Sequence, residues 1–156
     1  MKHLAVSAVL AAALLPVLSA CVPVQVGASA DHPVVLARPD ESVNIAPGQT
    51  VYVAQTVTAS LVGVPEATLA NVKAETAVPW FTLTPNGLPL GWSLRLEHAA
   101  VLRAPLASGG NDSARVRLYL KVSAPKYPSK NPQAIAYRLR YRNVDTPLAL
   151  NVELRR

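Results

Sequence analysis

Ala114-Arg115-Val116-Arg117-Leu118-Tyr119-Leu120-Lys121-Val122-Ser123-Ala124 is the stretch of sequence that decides the fold. Its aliphatic residues occupy every second position, and charged or polar side chains stand between them. A side-chain period of two is the period of a β-strand that has one face in a core and the other in water. Residues 114–124 therefore predict an amphipathic strand of an antiparallel sheet.

The same alternation recurs along most of the chain, in residues 50–61, 80–84, 92–102, 134–142 and 148–154. Two shorter extended runs, residues 33–38 and 42–46, precede them. Most of the 14 prolines fall between these runs, where proline is typical of turns. We therefore predict an all-β fold, an antiparallel β-sandwich of about seven to eight strands. An immunoglobulin-like or fibronectin-like sandwich fits the length, and an open barrel or a jelly roll also fits the pattern.

Residues 68–78 are the ambiguous segment. Ala70, Val72 and Ala74 alternate with polar residues, which favours a strand, and a strand is our prediction. The alternative is a helical turn that begins at Pro65 and ends before Pro79, since proline is common at helix starts.

The N-terminus has the organisation of an export signal. Met1-Lys2-His3 is positively charged, and the 14 residues from 4 to 17 carry no charge and consist mainly of Ala, Leu and Val. This run is shorter than the roughly 18 residues that a membrane-spanning helix needs. Small residues then precede Cys21, as at a signal-peptidase site. We therefore predict a signal peptide over residues 1–20.

Leu18-Ser19-Ala20-Cys21 resembles the lipobox of bacterial lipoproteins. The resemblance covers only the first 21 residues. It implies cleavage before Cys21, a diacylglycerol on the Cys21 sulfur and an acyl chain such as palmitate on the new amino group. It also implies a protein exported to the cell envelope and anchored in its membrane. The absence of Asp after the cysteine resembles cargo of the outer membrane, on its periplasmic or surface side, if the cell is Gram-negative. The alternative is a small buried free cysteine.

The chain divides into three parts on this interpretation. Residues 1–20 are the signal peptide, residues 21–32 are the lipidated cysteine and a tether, and residues 33–156 are the β-sandwich domain. Cys21 is the only cysteine, so its acylation leaves no thiol for a disulfide. The domain must then be held together by its hydrophobic core.

Basic residues are concentrated late in the chain. Residues 103–156 contain eleven Lys or Arg and three Asp or Glu, and the whole chain has a net charge of +6. If residues 114–124 and 134–142 pair as neighbouring strands, six basic side chains share one sheet face. These are Arg115, Arg117, Lys121, Arg138, Arg140 and Arg142. We expect this face to bind an anionic envelope polymer or an acidic protein. The alternative is an ordinary solvated face.

The sequence contains none of the HExxH, CxxC or GxSxG motifs. We therefore predict no catalytic residues, no metal site and no cofactor; a scattered site that includes His98 is the alternative for an enzyme. Nucleic acid is not an expected partner, because the protein is exported and Tyr137 and Tyr141 fall on the apolar face of their strand. The sequence indicates no particular oligomeric state.

Trp80 and Trp92 flank a loop rich in Pro and Gly. We expect both to fill the core, and an aromatic ligand patch is the alternative. Taken together, these patterns predict a lipid-anchored, non-catalytic binding protein. A structural accessory that pairs with an envelope protein through a strand edge is the second hypothesis.

Overall fold

The computed structural model describes residues 26–103 and 114–155 of the chain. Within these residues it contains nine strands and one short helix. They are β1 (Val34–Leu36), β2 (Ser42–Ile45), β3 (Thr50–Thr58), α1 (Glu66–Ala70), β4 (Ala77–Val78), β5 (Phe81–Pro85), β6 (Ser93–Arg103), β7 (Ala114–Ser123), β8 (Ala134–Tyr141) and β9 (Val144–Leu154). The predicted signal peptide, the lipobox and Cys21 lie outside the described residues.

The strands form two sheets, which confirms the predicted all-β sandwich. The five-stranded sheet has the order β1-β3-β7-β6-β4, and the four-stranded sheet has the order β2-β9-β8-β5. The alternating aliphatic residues of β7 are fully buried between the sheets, where they meet the buried side chains of β8 and β9. The aliphatic face of residues 114–124 is therefore the centre of the core.

Both sheets are mixed, whereas the prediction was antiparallel. β1 runs parallel to β3, and β2 runs parallel to β9. Between β1 and β2 the chain passes from one sheet to the other, and Glu41 stabilises this crossing by accepting a hydrogen bond of 2.7 Å from the backbone N–H of Ala37. A connection that changes sheets does not constrain a strand to be antiparallel, as a tight hairpin does.

The strand predicted for residues 68–78 is wrong up to residue 76, and the alternative, a helical turn that begins at Pro65, is confirmed only as far as Ala70. Pro65 stands at the N-cap of α1 in an extended conformation, and the helix is held to the core by buried Leu69. Glu75 then has a φ of 61°, which is incompatible with a continuous strand. Only β4 remains of the predicted strand, because the alternation of residues 70–76 does not correspond to a buried face.

The folded part of the chain begins before His32, where the tether was expected to end. The backbone N–H of Gly27 donates to the carbonyl of His32 at 2.6 Å, and the N–H of Tyr52 donates to the carbonyl of Gly27 at 2.8 Å. Residues 27–32 are thus attached to β3 as part of the sandwich. A tether that starts at Cys21 is correspondingly shorter than predicted.

β7 and β8 are not neighbours. β7 lies between β3 and β6, and β8 lies between β9 and β5, so the chain changes sheets in residues 124–133. The buried and exposed faces predicted for each of these strands are correct. The pairing on which a single basic face depends therefore does not occur, because alternation identifies the buried face of a strand and not its partner.

A polar link crosses the core and joins the two sheets. The hydroxyl of Tyr137 on β8 donates to Oε1 of Gln55 on β3 at 2.8 Å, and Nε2 of Gln55 donates to the carbonyl of Ala149 on β9 at 2.9 Å. Tyr137 and Gln55 are both buried. Burial raises the pKa of the Tyr137 hydroxyl above its ordinary value, since the ionised form loses its hydration.

Candidate anion-binding face

The six basic residues predicted to form one site are divided between opposite sides of the sandwich. Arg115, Arg117 and Lys121 alternate with the buried residues of β7, so they project from the outer face of the five-stranded sheet. Arg138 and Arg140 project from the outer face of the four-stranded sheet, and Arg142 follows β8 in a turn. The single basic face expected from sequence therefore does not form.

The basic residues of the four-stranded sheet are partly neutralised by their neighbours. Arg140 makes two parallel hydrogen bonds to Asp145, from Nε to Oδ1 at 2.9 Å and from NH2 to Oδ2 at 3.0 Å. These bonds hold the pKa of Asp145 below its usual range, and the charge of Arg138 acts in the same direction. The guanidinium of Arg142 lies 5.4 Å from the ring centroid of Tyr141. This side of the molecule therefore offers less unpaired positive charge than the sequence suggests.

The outer face of the five-stranded sheet combines basic and aromatic side chains. In the strand register, Lys121 of β7 stands opposite Tyr52 of β3 and Arg95 of β6, while Tyr119 stands opposite His98. Nζ of Lys121 lies 5.5 Å from the ring centroid of Tyr52. We call this surface the basic aromatic face. Its members are Tyr52, Arg95, His98, Arg115, Arg117, Tyr119 and Lys121.

His98 reaches this face because of a β-bulge that strict alternation does not predict. The register between β6 and β7 shifts between Leu96 and His98. The extra residue turns His98 outward, where its ring stacks on Tyr119 with the centroids 4.0 Å apart and the planes 15° apart. The signal in the sequence is the polar pair Glu97-His98, which interrupts the alternation of β6.

Arg117 is a partly buried cation of the basic aromatic face. Its side chain is only 25% exposed, and its NH1 is 4.0 Å from Oε1 of Glu75, a side chain that is 71% exposed. Its buried Nε has no hydrogen-bond partner among residues 26–103 and 114–155. Buried donors are nearly always hydrogen-bonded in proteins, so this guanidinium is incompletely satisfied. Nε itself has almost no accessible surface, and an acceptor oxygen from solution would bond to the exposed quarter of the side chain.

Arg117 lines a shallow cavity of about 330 Å³ on this face. The other lining residues are Ala30, Asp31, Pro33, Val35, Ala54, His98 and Tyr119. The cavity combines a cation, two stacked rings and small apolar side chains, which suits a ligand that has both a flat surface and an acidic group. The carboxylate of Asp31 repels a negatively charged ligand group on its side of the cavity. An acidic group of the ligand is therefore best placed near Arg117 and His98.

Two further features concern possible metal ligands and the two tryptophans. Among residues 26–103 and 114–155, no group of three or more His, Cys, Asp or Glu side chains is placed to hold a metal ion. Trp92 is buried in the core, as predicted, whereas half-buried Trp80 packs against Tyr141 at 6.2 Å. The described residues also include no helix with the length and apolar composition required to span a membrane.

A Ser-x-x-Lys spacing, Ser123 to Lys126, lies where β7 ends. Side chains three residues apart face each other on a helix, and these two residues are not on one. The Ser123 hydroxyl is instead hydrogen-bonded to the hydroxyl of Thr50 at 2.8 Å. The spacing therefore does not indicate a nucleophile and its base.

Comparison with protein-family models found no match to this chain, and comparisons with curated proteins and with solved structures found none either.

Proposed function

We propose that this chain is an exported lipoprotein, anchored through Cys21, that binds an acidic polysaccharide of the cell envelope without catalysing a reaction. The binding surface is the basic aromatic face. The lipobox resemblance supports the anchor, and the geometry of the five-stranded sheet supports the ligand class.

The observation that carries the ligand class is the incompletely hydrogen-bonded guanidinium of Arg117 beside two stacked rings. A carboxylate accepts two parallel hydrogen bonds from a guanidinium, and a sugar ring packs its flat side on an aromatic ring. Arg95 and Lys121 lie opposite each other farther along the same face. An acidic polymer that repeats sugar rings and carboxylates can contact all of these groups at once.

The test is binding of the full-length lipidated protein in detergent to immobilised polygalacturonate, with neutral dextran as the reference polymer. The variant is Arg95→Gln with Arg117→Gln. The matched control is Arg138→Gln with Arg142→Gln, which removes the same charge from β8 and the turn that follows it. We expect the first pair to weaken binding about tenfold, which is about 1.4 kcal/mol and corresponds to one charge-assisted hydrogen bond plus a weaker exposed contact. The control pair is expected to change affinity by less than about twofold, since its charges lie outside the contact.

Three results contradict the proposal. They are equal weakening by the two pairs, binding that survives about 1 M salt unchanged, and equal binding to dextran. The anchor is tested separately by Cys21→Ala, which is expected to abolish palmitate labelling and membrane retention. Persistence of both in this variant overturns the lipoprotein assignment and leaves the polysaccharide result unaffected.

A second candidate function, strand addition by a partner protein, is favoured by one feature of the sandwich edge. β3 pairs with β7 along its whole length on one side, but on the other side β1 pairs only with the residues from Val53 to Gln55. Residues 56–58 therefore have no strand partner on that second side among the described residues. A cavity of about 490 Å³ lies between this edge and residues 147–149 of β9. A photo-crosslinking residue at Thr56 is expected to capture one stoichiometric envelope protein on this hypothesis. The same residue at Arg138, on the inner strand β8, is the control.

A further inference from the structure

One end of the sandwich gathers three loops and the entry of the described chain. Ser123 at the end of β7 is in register with Thr50, where β3 begins, and with Ser93, where β6 begins. The loops of residues 46–49, 86–92 and 124–133 therefore lie at the same end. We call this surface the loop end.

The three loops are packed together at Pro125. The backbone N–H of Gly48 donates to the Pro125 carbonyl at 3.0 Å. A Cβ atom placed on Gly91 would lie only 2.8 Å from Cβ of Pro125, so these two residues are in direct contact. The neighbours of Gly91 and Pro125 in the chain, Leu90 and Lys126, thus belong to one continuous surface.

The loop end is both apolar and basic. Leu90 is 86% exposed and Tyr127 is 82% exposed, the two highest values among the large hydrophobic residues that the structure describes. Lys126 and Lys130 are exposed beside them, and the three loops contain no Asp or Glu. Leucine and tyrosine partition to the boundary between lipid headgroups and acyl chains, and lysines near an anionic membrane are attracted to its phosphates.

The described chain enters the sandwich at the loop end, which places this end nearest to the proposed lipid anchor at Cys21. The Gly27 carbonyl accepts from the N–H of Tyr52, the third residue of β3, so the described chain begins at the loop end. Only four residues separate Cys21 from Val26, so the five Cα–Cα steps between them span at most about 17 Å when fully extended. The nine residues of β3 span about 30 Å, so the opposite end of the sandwich is far beyond this reach.

We propose that the loop end rests on an anionic phospholipid surface, with Leu90 and Tyr127 in the headgroup region and Lys126 and Lys130 at the phosphates. This inference rests on the acylation of Cys21 that the proposed function includes. Two apolar side chains bind a membrane weakly by themselves, but a tether of this length keeps them at a high effective concentration beside it. The sandwich then stands on the membrane, and the basic aromatic face extends along the membrane normal with Arg115 and Arg117 farthest from the lipid.

The experiment uses Leu90→Cys in the full-length lipidated chain. Cys21 is the only native cysteine, and acylation blocks its sulfur, so the new thiol is labelled uniquely with a nitrobenzoxadiazole maleimide. The matched control is Leu61→Cys, because Leu61 is 56% exposed and follows the opposite end of β3. Both proteins are incorporated into vesicles of phosphatidylglycerol and phosphatidylethanolamine, with and without doxyl-labelled lipid.

We expect a blue-shifted emission and at least twofold quenching by doxyl lipid at position 90, and neither effect at position 61. Lys126→Glu with Lys130→Glu is expected to halve the quenching at position 90 while the protein still floats with the vesicles. Equal signals at the two positions, no quenching at position 90, or full quenching in the lysine variant each overturn the inference.

The outcomes also separate this inference from the proposed function. Failure of the protein to float with vesicles overturns the lipid anchor and the orientation together. Flotation with an unquenched label at position 90 overturns the orientation alone. Neither result changes the expected binding to polygalacturonate, because the basic aromatic face lies on the side of the sandwich.

Discussion

Replacement of Tyr137 by Phe tests the polar link that joins the two sheets. The substitution removes one hydroxyl and leaves the buried ring in place. Oε1 of Gln55 loses the donor that lies 2.8 Å away. Gln55 is itself buried, so water cannot readily supply a replacement donor.

The expected loss of stability is about 2 kcal/mol, because a buried acceptor left without a partner costs about 1–3 kcal/mol. A domain of this size loses about 4 °C of its melting temperature per kcal/mol, so the midpoint should fall by about 8 °C. Gln55→Met in the Tyr137→Phe background removes the orphaned oxygen. The double variant should then be about 1 kcal/mol more stable than the sum of the single effects predicts. The Ala149 carbonyl, which also loses its donor there, belongs to an exposed residue and can bind water.

The measurement is urea unfolding followed by circular dichroism, with a thermal scan of the same samples. The control is Tyr127→Phe, in which the same hydroxyl is removed from an exposed ring. This control should lie within about 0.5 kcal/mol of the wild-type protein. Two results would refute this reasoning. The first is a loss of stability for Tyr137→Phe no larger than that of the control, and the second is strict additivity of the two single effects in the double variant.

Two further predictions concern alkaline pH and a glycine turn. Burial raises the pKa of Tyr137, so the unfolded chain loses this proton at a lower pH than the folded protein does. The contribution of Tyr137 to the free energy of unfolding is therefore complete below pH 10 and falls as pH rises above the ordinary value of about 10. Tyr137→Phe should abolish this part of the decrease in stability at alkaline pH. A profile in Tyr137→Phe as steep as that of the wild type contradicts this. Gly63 has a φ of 74°, and a Cβ atom there would lie 2.9 Å from Cγ1 of Val144. Gly63→Ala should therefore destabilise the domain by about 1–2 kcal/mol in denaturant titrations, and Val144→Ala should recover part of that loss; no recovery would show that the contact adds nothing to the backbone strain.

The faces of the long strands were predictable, because each of these strands separates a core from water. Tyr137 and Tyr141 were assigned to the apolar face of their strand, and both are buried. The same reasoning failed for residues 68–78, where the alternation continues through a segment that has no core to cover. A pattern of period two is evidence for a strand only when its apolar residues have a partner surface.

Strand pairing was less predictable than strand faces. Residues 124–133 are longer than the loops of about 2–5 residues that join hairpin strands, which favours a crossing between sheets. The condition that β7 and β8 pair is therefore not met. Tyr52 and Arg95 could not be assigned to the candidate site from the sequence. They lie beside Lys121 only because β7 pairs with both β3 and β6.

The separation of β7 from β8 removes the repulsion that six basic residues on one sheet would create, because opposite faces of a sandwich are divided by a core about 10 Å thick. On the four-stranded sheet, Asp145 compensates Arg140 directly. On the five-stranded sheet, Arg95 and Lys121 stand opposite each other as like charges. A folding requirement alone does not explain this pair, since polar uncharged residues would serve as well at the same positions. Arg95→Gln should therefore lower the affinity for an acidic polymer while it leaves the free energy of unfolding unchanged or slightly raised. A substantial loss of stability in Arg95→Gln would mean that the charge is needed for the fold and not for a ligand site.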